Sequence, residues 1–133
     1  MVVWFAPAGC SRPKLEFTEV SGKVTLEGKP LVGVMVRFYP LSEGAEQLPY
    51  STAITDDAGV YRLTAQTSES GALVGRHTVV VHWPSRDILE AEGRPPPPAS
   101  KRIPLRFTVV TESPLQYEVK AGGPQTIDLA LSQ

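Results

Sequence analysis

The sequence is short of cysteine, of net charge and of long apolar runs, and each shortage excludes a class of protein. One cysteine among 133 residues excludes a disulfide within the chain and a metal cage built from cysteines. Thirteen Lys and Arg against 14 Asp and Glu give a net charge of −1. We therefore expect no nucleic-acid partner, because a nucleic-acid surface needs a clustered cationic excess. No apolar run approaches the roughly 18 residues that a membrane-spanning helix needs.

Proline and glycine, in contrast, are abundant, with 13 and 11 residues. Proline lacks the backbone N–H that a helix interior uses, and glycine adopts turn conformations that other residues resist. These residues therefore favour short strands joined by turns over long helices. The apolar fraction of 41% and the charged fraction of 20% are those of an ordinary globular protein. The length fits one domain with a single hydrophobic core.

Short stretches of the chain alternate apolar and polar residues, which is the period of a half-buried strand. The segment Thr55–Gly59 carries the strongest turn signal, since an Asp side chain can accept hydrogen bonds from nearby backbone N–H groups. Spacings of this kind predict an all-β fold, an antiparallel two-sheet β-sandwich of about seven strands. The predicted strands cover residues 20–26, 34–38, 51–55, 60–64, 77–83, 115–119 and 127–131.

The only cysteine, Cys10, follows an apolar stretch and the small residues Ala8 and Gly9. This order is that of the end of a bacterial lipoprotein signal, although no Lys or Arg precedes the apolar part. One interpretation places the true start upstream, so that Cys10 becomes the lipidated first residue of the mature protein. The other treats residues 1–10 as an apolar N-terminus with an incidental cysteine. Under the first, a lipid with several acyl chains anchors the protein to a membrane.

Four segments in order resemble a known family: residues 20–31, the Thr-Asp-Asp-Ala-Gly-Val-Tyr run at 55–61, residues 75–81, and a final hairpin expected over 113–122. They resemble carboxypeptidase regulatory-like domains, which are transthyretin-like sandwiches and occur in small envelope lipoproteins of planctomycete-type bacteria. The resemblance implies a lipoprotein signal remnant and tether at 1–16 and the sandwich domain at 17–133. It implies a fold and a location but no reaction, since such domains carry no catalytic zinc site.

The sequence offers few residues that could bind a metal. A zinc hydrolase needs three protein ligands, and the two histidines, His77 and His82, lie five positions apart on opposite faces of one predicted strand. We expect His77 to pack in the core with a hydrogen bond and His82 to lie near an edge. Asp56, Asp57 and Gly59 faintly suggest a calcium loop, but the following strand lacks the carboxylate that such a loop requires. We interpret them as a turn and expect no metal and no cofactor.

Nucleophilic and acid–base chemistry is equally sparse. No Gly-x-Ser-x-Gly elbow is present, and Cys10 has no nearby histidine to activate its thiol. Glu90 and Glu92 are two carboxylates that we interpret as solvated side chains of a long loop. The sequence therefore predicts a protein that is not an enzyme.

The segment 85–104 breaks the strand pattern with four consecutive prolines and a charged stretch. Long loops on rigid β frameworks often carry binding sites, so the candidate binding residues are Trp83, Arg86, Arg94 and Arg102. The alternative is a passive exposed loop, with one helical turn near residues 88–91 and Trp83 packed at its base. Two hypotheses follow: a lipid-anchored cell-envelope protein facing the periplasm or exterior, which meets envelope polymer or protein, and a carbohydrate- or peptide-binding module using this loop.

Overall fold

A computed structural model describes residues 15–41 and 47–133. Within them the regular secondary structure is mostly β-strand, with one short helix, α1 (Arg86–Ala91), and two single 3-10 turns. Among these residues no helix has the length and apolarity that crossing a membrane requires. Cys10 lies outside the described residues. The twelve strands are β1 (Phe17–Thr18), β2 (Val20–Leu26), β3 (Lys29–Pro30), β4 (Met35–Pro40), β5 (Ser51–Ile54), β6 (Val60–Arg62), β7 (Thr64–Ala65), β8 (Ala72–Leu73), β9 (Gly75–His82), β10 (Gln116–Val119), β11 (Gln125–Thr126) and β12 (Leu129–Leu131).

One five-stranded sheet, which we name the β4 sheet, has the order β10-β9-β4-β5-β7. All of its neighbouring strands pair antiparallel. The alternation read from the sequence places side chains as expected, because Val36 and Phe38 are fully buried while Arg37 and Tyr39 lie half-buried on the opposite face. Thr78 and Val80 of β9 lie beside Tyr39 and Arg37 on that opposite face and are buried as well, so β9 is covered on both faces.

The second five-stranded sheet, the β2 sheet, is built around β2, whose bounds match the predicted first strand. β3 and β6 pair with β2 antiparallel, and β11 and β12 pair with it parallel. The expected final hairpin is wrong, since β10 belongs to the β4 sheet while β12 belongs to the β2 sheet. Gly122 and Gly123, with φ of 108° and 146°, let the chain cross between the sheets, so that Leu129 and Leu131 reach buried positions beside β2.

The two sheets contribute side chains to one hydrophobic core. Phe38 of the β4 sheet and Tyr61 of the β2 sheet meet with ring centroids 6.1 Å apart, which is a favourable separation for tilted aromatic rings. Val24 and Leu129 are completely buried on the β2 side. The all-β fold class predicted from the alternation is therefore confirmed.

The turn between β5 and β6 moves the chain from one sheet to the other. β6 does not return along β5 but pairs with β2, with Tyr61 opposite Gly22. Only β7, further along, pairs with β5. The physical reason is burial: the Tyr61 ring enters the core between the sheets and its hydroxyl donates to the Ile127 carbonyl.

Candidate functional site

The 85–104 segment begins with helix α1, which has capping interactions at both ends. The Ser85 Oγ accepts from the Ile88 N–H at 3.4 Å, as an N-cap does. At the other end Gly93, with φ of 69°, and Arg94 donate their N–H groups to Glu90 and Leu89 carbonyls at 3.1 and 2.8 Å. This pair of bonds is a Schellman motif, and the proline run after it prevents the helix from continuing. The expected helical turn near residues 88–91 is confirmed.

Arg94 fastens this segment to the β framework. Its Nη2 donates to the Gly33 carbonyl at 2.9 Å, and its Nη1 donates to Glu92 Oε2 at 3.2 Å. Gly33 leaves the space for this contact, because a Cβ at that position would lie 1.9 Å from the Arg94 Nη2. The guanidinium of Arg94 is thus engaged in holding the loop, in addition to bordering its surface.

Trp83 forms the second attachment. Its ring packs against the hydrophobic core, and its Nε1–H donates to the Lys101 carbonyl at 2.8 Å. The bond joins the start of the 85–104 segment to its far end, where the 3-10 turn Ala99–Lys101 lies. The Trp83 indole is therefore placed as the packing interpretation expected, at the base of the loop.

Between these attachments, α1 and the polyproline stretch enclose a groove of about 330 Å³. Its rim carries Arg86, Glu90 and Arg94, and the Arg86 Nε lies 3.2 Å from Glu90 Oε1. The structure thus brings Arg86 and Arg94 together at one groove, whereas Trp83 and Arg102 do not line it. The apolar lining residues are Pro84, Leu89, Pro96 and Pro97.

Sequence reasoning missed most of that apolar lining. Leu89 is the buried residue of α1. A six-residue helix with one buried position shows little hydrophobic periodicity in its sequence. Pro96 and Pro97 lay in a run that was recognised as exposed, but nothing in the run indicates which of the four prolines face α1. Gly33, the partner of Arg94, gave no signal of its own because its role arises from a contact across 61 positions.

The two histidines lie as the sequence predicted. His77 is fully buried, and its Nε2–H donates to the Leu73 carbonyl at 2.6 Å. Burial lowers the pKa of His77, although the Leu73 contact acts in the opposite direction. His82 is half-exposed and contacts its neighbour's carbonyl, Trp83 O, at 2.9 Å. Within the described residues no three His, Cys, Asp or Glu side chains cluster as metal ligands do.

The Asp56 segment is a turn, and that prediction is confirmed. Asp56 Oδ1 accepts from the Ala58 and Val60 N–H groups at 2.9 and 3.0 Å, and Gly59 has φ of 77°. These backbone hydrogen bonds, that from Val60 first, lower the pKa of Asp56. One carboxylate oxygen is therefore committed to the turn backbone.

Comparison of the chain with protein-family models, with curated proteins and with solved structures finds no match in any of the three. The resemblance to carboxypeptidase regulatory-like domains therefore stays a prediction. The groove and the surface of the β framework are the features of this protein that bear on its function.

Proposed function

We propose that this chain is a non-enzymatic β-sandwich protein of a bacterial cell envelope, with a transthyretin-like arrangement of its two sheets. The shared core of the β4 and β2 sheets supports the sandwich arrangement. The absence of catalysis is proposed from the sequence, which offers two histidines and no nucleophile elbow. The domain would act by presenting its loops to envelope polymer or envelope protein.

The proposed location depends on Cys10. The support is the order of an apolar stretch, Ala8, Gly9 and then the only cysteine. Lipidation of this thiol would hold the domain at a membrane, since multiple acyl chains give stable anchoring. The protein would face the periplasm or the exterior.

Mass spectrometry of native protein extracted from membranes tests the anchor. We expect a mature chain that begins at Cys10 and carries acyl chains on that residue. A Cys10→Ser variant should move from the membrane fraction to the soluble fraction. Unmodified protein that retains residues 1–9 would refute the anchoring proposal.

The single observation that carries a binding role is the groove between α1 and the polyproline stretch. Arg94 and Trp83 fasten its two sides to the β framework, so a ligand would meet a surface that is already ordered, which reduces the entropic cost of binding. Its walls are proline and leucine, and its rim holds both charges. Such a lining fits an apolar peptide side chain better than a sugar, because no aromatic ring of the described part of the chain lines it.

A peptide-binding module is therefore the second candidate function, with the groove as its site. A panel of short peptides that carry one large apolar side chain tests it by nuclear magnetic resonance titration. We expect chemical-shift changes confined to Arg86, Leu89 and the proline stretch. A double variant, Pro96→Ser with Pro97→Ser, should abolish them, while Lys23→Ala on the β2 sheet should not. Shifts centred elsewhere on the domain would contradict this site.

A further inference from the structure

A second candidate site lies where β4 ends and β5 begins, remote from the groove along the chain. Tyr39 of β4 and Tyr50, just before β5, form a cross-strand pair with ring centroids 5.4 Å apart and planes inclined by 35°. The Arg37 Nη1 donates to the Tyr39 hydroxyl at 3.2 Å, which restricts the movement of the Tyr39 ring. Tyr50 is thus held by a neighbouring aromatic ring while its own ring stays half-exposed.

Beside this pair lies a cavity of about 700 Å³, within the range of roughly 300–1,000 Å³ that small-molecule sites occupy. Two stretches of backbone, 47–50 and 66–67, form most of its walls, and Leu15 and Pro40 complete the described lining. The two stretches are joined directly, because the Gln66 N–H donates to the Tyr50 carbonyl at 2.8 Å. The tight turn after Gln66, with Ser68 at φ of 76° and its N–H bonded to the Ala65 carbonyl, sets the direction of the second wall.

The lining has one chemical character: every described side chain in it is uncharged. Hydrogen-bonding capacity comes from the Gln47 and Gln66 amides, the Thr67 hydroxyl and the Tyr50 hydroxyl, and apolar surface comes from Pro40 and Pro49 among others. A side-chain amide offers both hydrogen-bond donors and an acceptor, and a hydroxyl offers one donor and an oxygen that accepts. A ligand that satisfies this set must itself be rich in groups that both donate and accept, and must offer an apolar face to the Tyr50 ring.

We propose that this cavity binds a neutral saccharide, with Tyr50 stacking against a sugar ring and the two glutamines bonding its hydroxyls. A sugar hydroxyl both donates and accepts, and the C–H face of the ring is apolar, so both halves of the lining are used. A carboxylate or phosphate ligand would find no cation among the described residues of the lining. An apolar peptide side chain would leave the glutamine amides without partners, which is costly once water is excluded. This inference goes beyond the proposed function and does not depend on the groove.

Isothermal titration calorimetry with purified protein tests the proposal, using the neutral hexasaccharides of maltose, cellulose and chitin type. Hexagalacturonate and hexaproline serve as the charged and peptide comparisons. We expect saturable binding of at least one neutral hexasaccharide and none of the comparison probes. Tyr50→Ala should weaken that binding about tenfold or more, and Tyr50→Phe only a few-fold, because it keeps the ring.

Gln66→Ala should weaken binding about five- to tenfold through the lost hydrogen bonds, and its exposed side chain makes loss of the fold a small risk. Gln116→Ala, an exposed glutamine on β10 outside the cavity, is the matched control and should bind normally. The proposal is overturned if no neutral hexasaccharide binds at 10 mM, on the order of the weakest affinities that matter for recognition. It is also overturned if hexaproline or hexagalacturonate binds instead, or if Tyr50→Ala and Gln66→Ala both bind as tightly as the parent.

Discussion

Two arginines of the 85–104 segment carry the same charge but differ in the groups that their side chains contact. The Arg86 side chain is 88% exposed and pairs with Glu90, four positions along α1. The Arg94 side chain is 30% exposed and reaches the Gly33 carbonyl on another part of the fold. Exposed ion pairs within a helix contribute little, whereas a charged hydrogen bond to a half-buried carbonyl contributes more.

We therefore predict that Arg94→Ala lowers the free energy of unfolding by about 1–2 kcal/mol, and that Arg86→Ala lowers it by at most about 0.5 kcal/mol. Urea unfolding followed by circular dichroism measures both. Equal effects of the two variants would show that the Gly33 contact does not anchor the segment.

Gly33→Ala supplies a further check on the same contact. A Cβ there meets the Arg94 Nη2, and the backbone has φ of 76°, so two separate costs are expected. When Arg94→Ala is already present, Gly33→Ala adds only its backbone cost, because the clash with the guanidinium is gone. The double variant should therefore lose less stability than the sum of the single variants.

The second residue-scale prediction concerns acid. Burial holds the pKa of His77 below its ordinary value of 6.5, so the unfolded chain takes up a proton before the folded protein does. Stability is then fully present above about pH 6.5 and declines as the pH falls toward the folded pKa. Phe38, with its ring 5.6 Å away, and Tyr117 on β10 face His77, and neither is charged in this range.

His77→Phe should flatten the pH dependence of the free energy of unfolding below about pH 6.5. His82→Gln, at the half-exposed histidine of the same strand, is the matched control and should keep the slope of the parent. The pKa of the Asp56 carboxyl is lowered in the folded protein. Its contribution to stability therefore falls only at more acidic pH, below the ordinary pKa of an Asp carboxyl. A slope that survives His77→Phe unchanged would assign it to other groups.

At the scale of elements, the alternation of apolar residues was sufficient to predict strands but not their partners. β2, β4 and β9 lie where the pattern indicated. Their neighbours were not foreseeable, because any half-buried strand presents the same backbone donors and acceptors to any other. The crossing of β6 and of β12 to the β2 sheet is decided by which side chains fill the core, and that depends on the whole set of strands.

Gly22 of β2 shows how closely those elements approach. A Cβ there would lie 2.0 Å from the carbonyl oxygen of Ile127, whose N–H is bonded to Ser21. Both contacts are backbone, so neither moves easily. We predict that Gly22→Ala costs about 1–3 kcal/mol of stability, measured by thermal and urea unfolding.

The matched control is Gly28→Asn in the β2–β3 turn. Gly28, unlike Gly22, has a positive φ, of 80°, but nothing lies near its Cβ position, and Asn tolerates this conformation. We expect nearly unchanged stability. A similar loss at both positions would attribute the Gly22 effect to general loss of glycine and not to the approach of β11 and β12.

At the scale of the whole molecule, the last strand completes the sheet that the first long strand begins. β12 pairs in parallel with β2, and the Lys23 N–H donates to Asp128 Oδ1 across 105 positions. Leu129 and Leu131 are buried in the shared core. Removal of residues 127–133 should therefore unfold the entire protein, seen as loss of β signal in circular dichroism and rapid proteolysis.

Removal of only Ser132 and Gln133, which are exposed, should leave the fold intact, because no core residue is lost. A 1–126 chain that stays folded would mean that the β4 sheet is stable alone. That outcome would contradict the view that one core holds both sheets.

The sequence by itself determined the all-β class, the positions of most strands, the Asp56 turn and the burial of His77. These follow from local physics: period-two burial, side-chain hydrogen bonds to adjacent backbone, and the limits that proline and glycine place on φ. Only the tertiary structure decided that Arg94 meets Gly33, that β12 lies beside β2, and that Tyr50 and Gln66 line one cavity. Those contacts join residues far apart in the chain, and their energy depends on packing that no local segment contains.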